Sequence, residues 1–230
     1  MSQSEMIRVL LKNLGQKFSG SLNIDLSSAD SKEVFKWFLA SILFGARISE
    51  TIVINTYRQF EKENVLSAQK IIDTGWDGLV RILDNGGYVR YDFKTATKLL
   101  EIMGTLIELY QGDLNKLHLG AKDSSDLENR LKNLGKGIGE VTVNIFLREL
   151  RGIWQKADPL PSDLVILSAR NLGLLSHKIK SKKEILNELK SVYQRNKVNW
   201  KSRQRRGGKG FVDFEAALLR LGKDFCRKEK

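Results

Sequence analysis

Apolar residues recur along this chain three and four positions apart, and no series of segments shows the apolar-polar alternation of half-buried strands. The pattern predicts an all-α fold. A first helix is expected over residues 5–17. Ser31 is read as the N-cap of a second, whose apolar residues Val34, Phe35, Trp37, Phe38, Ile42 and Leu43 leave little polar face. Such a helix belongs in the middle of a core. Ser49 opens another through Ile52, Val53, Tyr57 and Phe60, and two shorter helices are expected over 67–73 and 76–83, before the turn Asn85-Gly86-Gly87. A long amphipathic helix over 91–110 buries Ala96, Leu99, Leu100, Met103, Leu106 and Ile107, with Gly112 suited to a left-handed C-cap. Residues 113–118 read as a turn, and residues 123–126 offer caps for a helix ending near Leu134.

The next segment changes character. Leu134-Gly135-Lys136-Gly137-Ile138-Gly139-Glu140-Val141-Thr142 separates that helix from one running through Val143, Ile145, Phe146, Leu147 and Leu150. Two glycines around one aliphatic residue make a tight hairpin whose backbone another molecule can approach closely. The N–H groups and positive dipole end of the new helix suit a phosphate, Lys136 adds a cation, and Ile138 is expected to plug the turn into the core. A glycine pair alone fits a plain interhelical turn as well. A dinucleotide fingerprint fits less well, because helix and not strand precedes the turn and Glu140 replaces a third glycine. Further on, Asp158-Pro159-Leu160-Pro161-Ser162-Asp163 holds both prolines of the chain in one stiff loop. Asp163 then opens a helix through Val165, Ile166, Leu167 and Leu172, where a carboxylate serves equally as an N-cap.

Charge adds weight to an anionic partner. The chain carries 39 Lys+Arg against 27 Asp+Glu, and 17 of these cations against 6 of these anions fall in residues 176–230. The rest is nearly balanced, so the excess sits in the C-terminal region, with Lys201, Arg203, Arg205 and Arg206 beside Trp200 in a glycine-containing segment expected to be mobile in the free protein. Cys226 is the single cysteine, and His118 and His177 stand far apart, which leaves no thiolate zinc site, no four-cysteine iron-sulfur cluster and no expected metal or cofactor. No apolar run reaches the roughly 20 residues of a membrane span, and the opening MSQSEMIRVLLKNLG lacks signal-peptide character, so an intracellular protein is expected.

The hairpin and its sequel together resemble the helix-hairpin-helix/Gly-Pro-Asp superfamily of DNA base-excision glycosylases. Gly137-Ile138-Gly139 match its hairpin, Leu160-Pro161-Ser162-Asp163 resemble the approach to the essential aspartate in the alkyladenine glycosylase branch, and residues 86–117 with Gln111-Gly112-Asp113-Leu114 look like the endonuclease III branch. The resemblance covers about residues 30–175. It implies a helical barrel over residues 29–151 ending in the hairpin, and a second lobe from residues 1–28 and 152–230, with double-stranded DNA in the groove between them. It implies Asp163 as the catalytic carboxylate and Lys136, Gly137, Ile138 and Gly139 as the grip on the DNA backbone of a monomeric enzyme.

Two departures narrow the chemistry. Lyase branches carry a nucleophilic lysine two positions after the second hairpin glycine; here that position is Val141, which points to hydrolysis without strand cleavage, the alternatives being a lyase that uses another amine such as Lys136 and a noncatalytic hairpin that only grips DNA. The cysteine cluster of many endonuclease III relatives is missing, and the basic C-terminal region, Arg203, Arg205 and Arg206 included, is the candidate replacement in DNA contact. Lys136 also stands where the family usually has proline. By position Arg47 is a candidate wedge for the space left by a flipped base, though a plain surface arginine fits it too. Trp37, Trp154 and Trp200 are candidate stacking residues, or simply core.

Overall fold

The computed structural model of the chain describes residues 1–196 and 210–226. Trp200, Lys201, Arg203, Arg205 and Arg206 therefore lie outside the described residues. Among those described there are twelve helices and no strand beyond one isolated bridge between Arg151 and Trp154, so the fold is all-α as the periodicity predicts. In order the helices are α1 (Gln3–Leu14), α2 (Phe18–Ser21), α3 (Ser31–Phe44), α4 (Glu50–Lys62), α5 (Ala68–Asn85), α6 (Asp92–Tyr110), α7 (Leu114–Gly120), α8 (Ser124–Lys132), α9 (Glu140–Leu150), α10 (Asp163–Asn171), α11 (Lys182–Arg195) and α12 (Phe211–Asp224).

Five local expectations change, each for a reason of capping or backbone geometry. The first helix ends at Leu14, where Gly15 caps it, and not at residue 17. Helix α3 is capped by Asp30, whose carboxylate accepts from the N–H groups of Lys32 and Glu33 at 2.9 and 3.2 Å, and not by Ser31, which is already its first helical residue. The two short helices after Ser67 are one interrupted element, α5, broken where Gly75 takes φ 67. The expected turn over 113–118 is the start of α7, because the Asp113 side chain accepts from Asn115 N–H at 2.9 Å and starts a helix there. At the end of α6 it is Gln111, at φ 57, that takes the left-handed cap position, followed by Gly112 at φ 75.

The chain folds as two compact units, one of Ser19–Pro159 and one of Met1–Phe18 with Leu160–Lys230. In the larger unit α3 is the central helix, with Trp37, Leu39, Ala40 and Leu43 fully buried. Its aromatic residues lock onto α9: the Trp37 indole N–H donates to Phe146 O at 3.1 Å, and the Phe38 and Phe146 rings meet edge to face at 5.1 Å. Trp154 closes this cluster, stacked on His118 at 4.6 Å and bonded through its indole N–H to Asn115. Burial, and then the nearby Lys156 ammonium, hold the His118 imidazole below the usual histidine range. The smaller unit has its own core, in which Ile7, Leu10 and Leu11 of α1 and Val165, Ile166 and Ala169 of α10 join Phe214, Ala217 and Leu218 of α12.

Candidate functional site

The hairpin is seated on one face of α6. Lys98, Glu101 and Ile102 are spaced by three and four residues, so they project from the same side of that helix. Each meets a different part of the turn. A Cβ built on Gly135 would lie 2.8 Å from Ile102 Cγ1, one on Gly137 would lie 2.5 Å from Lys98 Cε and 2.7 Å from its Nζ, and the Lys136 N–H donates to Glu101 Oε1 at 3.0 Å. Gly137 also has φ 99, a conformation that glycine adopts without strain. Ile138 is buried at 5% exposure, which makes it the plug of the turn; only its backbone is available to a ligand. Lys136, Gly137 and Gly139 are exposed.

Gly139 is the N-cap of α9, with no side-chain cap on the helix and nothing within 4 Å of the place its Cβ would occupy. The first N–H groups of a helix have no partner within it. Among the described residues there is room around this start, which carries the positive end of the α9 dipole, and the hairpin before it holds Lys136 and the Lys98 ammonium over Gly137. The Glu140 carboxylate is drawn aside, 4.0 Å from Lys132 Nζ. Close by on α8, burial raises the Glu128 carboxyl above the ordinary range; Lys132 opposes that shift and Glu140 adds to it. Val141 occupies the first turn of α9 and is 63% exposed, so the position where a lyase lysine would stand presents an apolar side chain to solvent.

Arg47 belongs to the turn that follows α3, and the same turn touches the start of α9. A Cβ on Gly45 would fall 2.3 Å from Thr142 Oγ1, so a larger residue there would push that hydroxyl aside. The fold thus brings the exposed Arg47, two residues further on, into the neighbourhood of the hairpin helix.

Asp163 lies in the smaller unit. It is the first residue of α10, and the cap is its neighbour Ser162, whose hydroxyl accepts from Val165 N–H at 3.5 Å. The carboxylate is therefore not consumed in capping. It is 88% exposed and pairs with Lys182 Nζ at 2.8 Å. Helix α10 is fixed from behind by α12: a Cβ on Gly222 would stand 2.5 Å from Leu164 O and 2.7 Å from Ser168 Oγ. The loop before it is tied down as well, since Arg151 pairs with Asp158 and donates to Pro159 O at 2.8 Å.

Of the two readings open to Trp37 and Trp154, the core one holds: they are 0% and 2% exposed, with their indole N–H groups bonded inside the core, so neither can stack on a base. The residues that composition and motif leave unnoticed are Lys98, Glu101 and Lys182. Their only sequence signal is charge on a helical face, which does not distinguish them from other solvated residues.

No family model matches the chain, and no curated protein matches it in sequence. Among solved structures it is similar to the Helicobacter pylori 3-methyladenine DNA glycosylase MagIII, solved bound to 1,N6-ethenoadenine. That match has a TM-score of 0.57 at 15% identity and covers 100% of this chain and 99% of that one. The likeness is one of fold.

Proposed function

We propose that the protein is a DNA base-excision glycosylase that hydrolyses the N-glycosidic bond of a damaged or mispaired base in double-stranded DNA, without a lyase step. The observation that carries this is Asp163: a solvent-facing carboxylate that opens a helix without capping it, in a chain with the fold of a DNA glycosylase; the sequence resemblance matches it to the family's essential aspartate. The open, glycine-capped start of α9 supports the DNA half of the reading, and exposed Val141 supports the hydrolytic half.

A base inside the duplex stack cannot be reached, so the nucleotide turns out of the helix, at a cost of about a few kcal/mol that damage or mispairing reduces. Backbone N–H groups at Gly139 and beyond, with Lys136, hold the phosphates in register, and Arg47 is positioned to fill the vacated space. As the C1′–N bond breaks, the base leaves with the bonding electron pair and positive charge grows on the sugar. The Asp163 carboxylate stabilises that charge and accepts the proton of the water that adds to C1′. No metal, cofactor or second copy of the chain takes part.

The test is Asp163→Asn assayed on duplexes that each carry a different altered base, read with and without alkali. Base release should fall by about 10²- to 10³-fold, the usual cost of one electrostatic group at a transition state. DNA affinity should stay within a few-fold of wild type. Full activity in Asp163→Asn would overturn the reading. Strand breaks without alkali, together with a borohydride-trapped covalent adduct, would overturn its hydrolytic part.

A further inference from the structure

Large aromatic side chains usually leave solvent, yet Trp76 of α5 and Phe93 of α6 are 40% and 57% exposed while in contact with each other, ring centroids 5.3 Å apart. The pair is held rigid. The Trp76 indole N–H donates to Thr97 Oγ1 at 3.1 Å, and Thr97 Oγ1 donates in turn to Phe93 O at 2.9 Å, so indole and ring are pinned to the same turn of α6. The edge formed by α6 is cationic: Arg90 and Lys94 are exposed, and Lys98 follows one turn beyond Lys94. Lys98 is the residue whose side chain lies over Gly137 of the hairpin. One helix thus carries the aromatic pair at its start and the hairpin seat further along. Phe93 and Lys98 are separated by about 7.5 Å of rise and about 140° of turn around the helix, with the exposed Lys94 on the surface between them.

From this juxtaposition we infer that Trp76 and Phe93 form a stacking platform for an unpaired nucleotide of the strand whose phosphate the hairpin holds, with Lys94 and Arg90 on its backbone. Aromatic rings do not recognise phosphate; they take the face of a base. Paired bases within a duplex are stacked and closed to an inserting ring, so the occupant is an unpaired base, as at a gap or a disrupted pair. The lysines and arginine supply the backbone attraction, which weakens with salt. The inference rests on the DNA-binding reading of the hairpin and extends it to substrates with local single-stranded character.

The test compares wild type with Trp76→Ala/Phe93→Ala on two probes: a blunt, fully paired duplex, and the same duplex with a four-nucleotide gap. The expected result is an affinity for the gapped probe about tenfold weaker in the double variant, the order of one lost base stack, with affinity for the blunt duplex unchanged. Phe93→Leu, which keeps apolar volume and removes the ring, should give part of the loss and serves if the double variant does not fold. Equal affinity of variant and wild type for the gapped probe overturns the inference, as does an equal loss on both probes. A change in self-association with DNA binding untouched also overturns it, because the patch is then a protein contact. Asp163→Asn, run alongside, tests the glycosylase reading separately: base release there can fail or survive whatever the platform does.

Discussion

Two helix starts in this protein look alike in outline and are opposite in chemistry. Helix α9 begins at Gly139 with no side-chain cap, with room around it, after a hairpin that holds Lys98 and Lys136. Helix α10 begins at Asp163 with a serine cap already in place and a carboxylate on its first residue. The first is a cationic end with its donors unspent, the second a cationic end already supplied with an anion. An incoming phosphate is attracted to one and repelled by the other, while a developing cation is stabilised only by the second. The same element of structure thus serves binding in one place and chemistry in the other, and the capping residue decides which. The sharpest way to separate them is Asp163→Asn, which should cost rate by orders of magnitude and leave affinity almost intact.

The two starts also differ in how they are held, and this gives the next largest effect. Helix α10 rests on Gly222 through its own backbone, because an added Cβ would lie 2.5 Å from Leu164 O. Helix α9 rests on Gly45 through a side chain, because an added Cβ there meets Thr142 Oγ1 at 2.3 Å. Backbone cannot step aside as a hydroxyl can. Gly222→Ala should therefore cost about 1–3 kcal/mol of stability, the usual range for overpacking, and slow base release as Asp163 shifts. Gly45→Ala should cost less. Denaturant melts of the two variants check the order; a larger loss in Gly45→Ala would show that α9, not α10, is the more rigidly seated start.

Making the two starts alike is a third test. Gly139 has φ −96 and ψ −178, an extended conformation any residue adopts, and there is room for a side chain. Gly139→Asp would cap α9 and place an anion where the phosphate is proposed to sit. Stability should rise by a few tenths of a kcal/mol. Affinity for DNA should drop by about tenfold and the salt slope should flatten by about one phosphate contact. Melts and titrations at several ionic strengths read both. Unchanged affinity would mean that the open start of α9 is not a phosphate site.

Much of this contrast is legible in the residues themselves. Gly137-Ile138-Gly139 after one helix and before another allows little but a tight turn, and the burial of Ile138 follows from its being the one apolar residue there. The proline-rich approach places a helix start at Asp163 equally well. What local pattern does not decide is which of two adjacent capping residues takes the cap: Ser162 and Asp163 are both good N-caps, and the backbone gives the role to serine, which frees the acid. Asp30 and Ser31 are resolved the same way, toward the earlier residue. The hairpin seat is less visible still. Glu101 and Lys136 are 35 positions apart in sequence, and nothing in the amphipathic pattern of α6 tells that its polar face, with Ile102 at the edge, meets a turn and not water. Trp37 and Trp154 are equally undecided by residue type: an aromatic is compatible with a base or a core, and only their core partners settle it.

The smallest expected effect concerns the ion pair at the second start. Lys182 lies 2.8 Å from the Asp163 carboxylate, yet the two side chains are 47% and 88% exposed. Water screens such a pair, and its worth to stability is about 0–1 kcal/mol. Lys182→Gln should thus shift the denaturation midpoint barely, and more at low salt than at high. That outcome keeps Asp163 available to a substrate, since a partner held so weakly is easily displaced. A loss well above 1 kcal/mol would mean that the lysine holds the carboxylate as part of the fold. Asp163 would then be committed before DNA arrives, while the start of α9 would still be open.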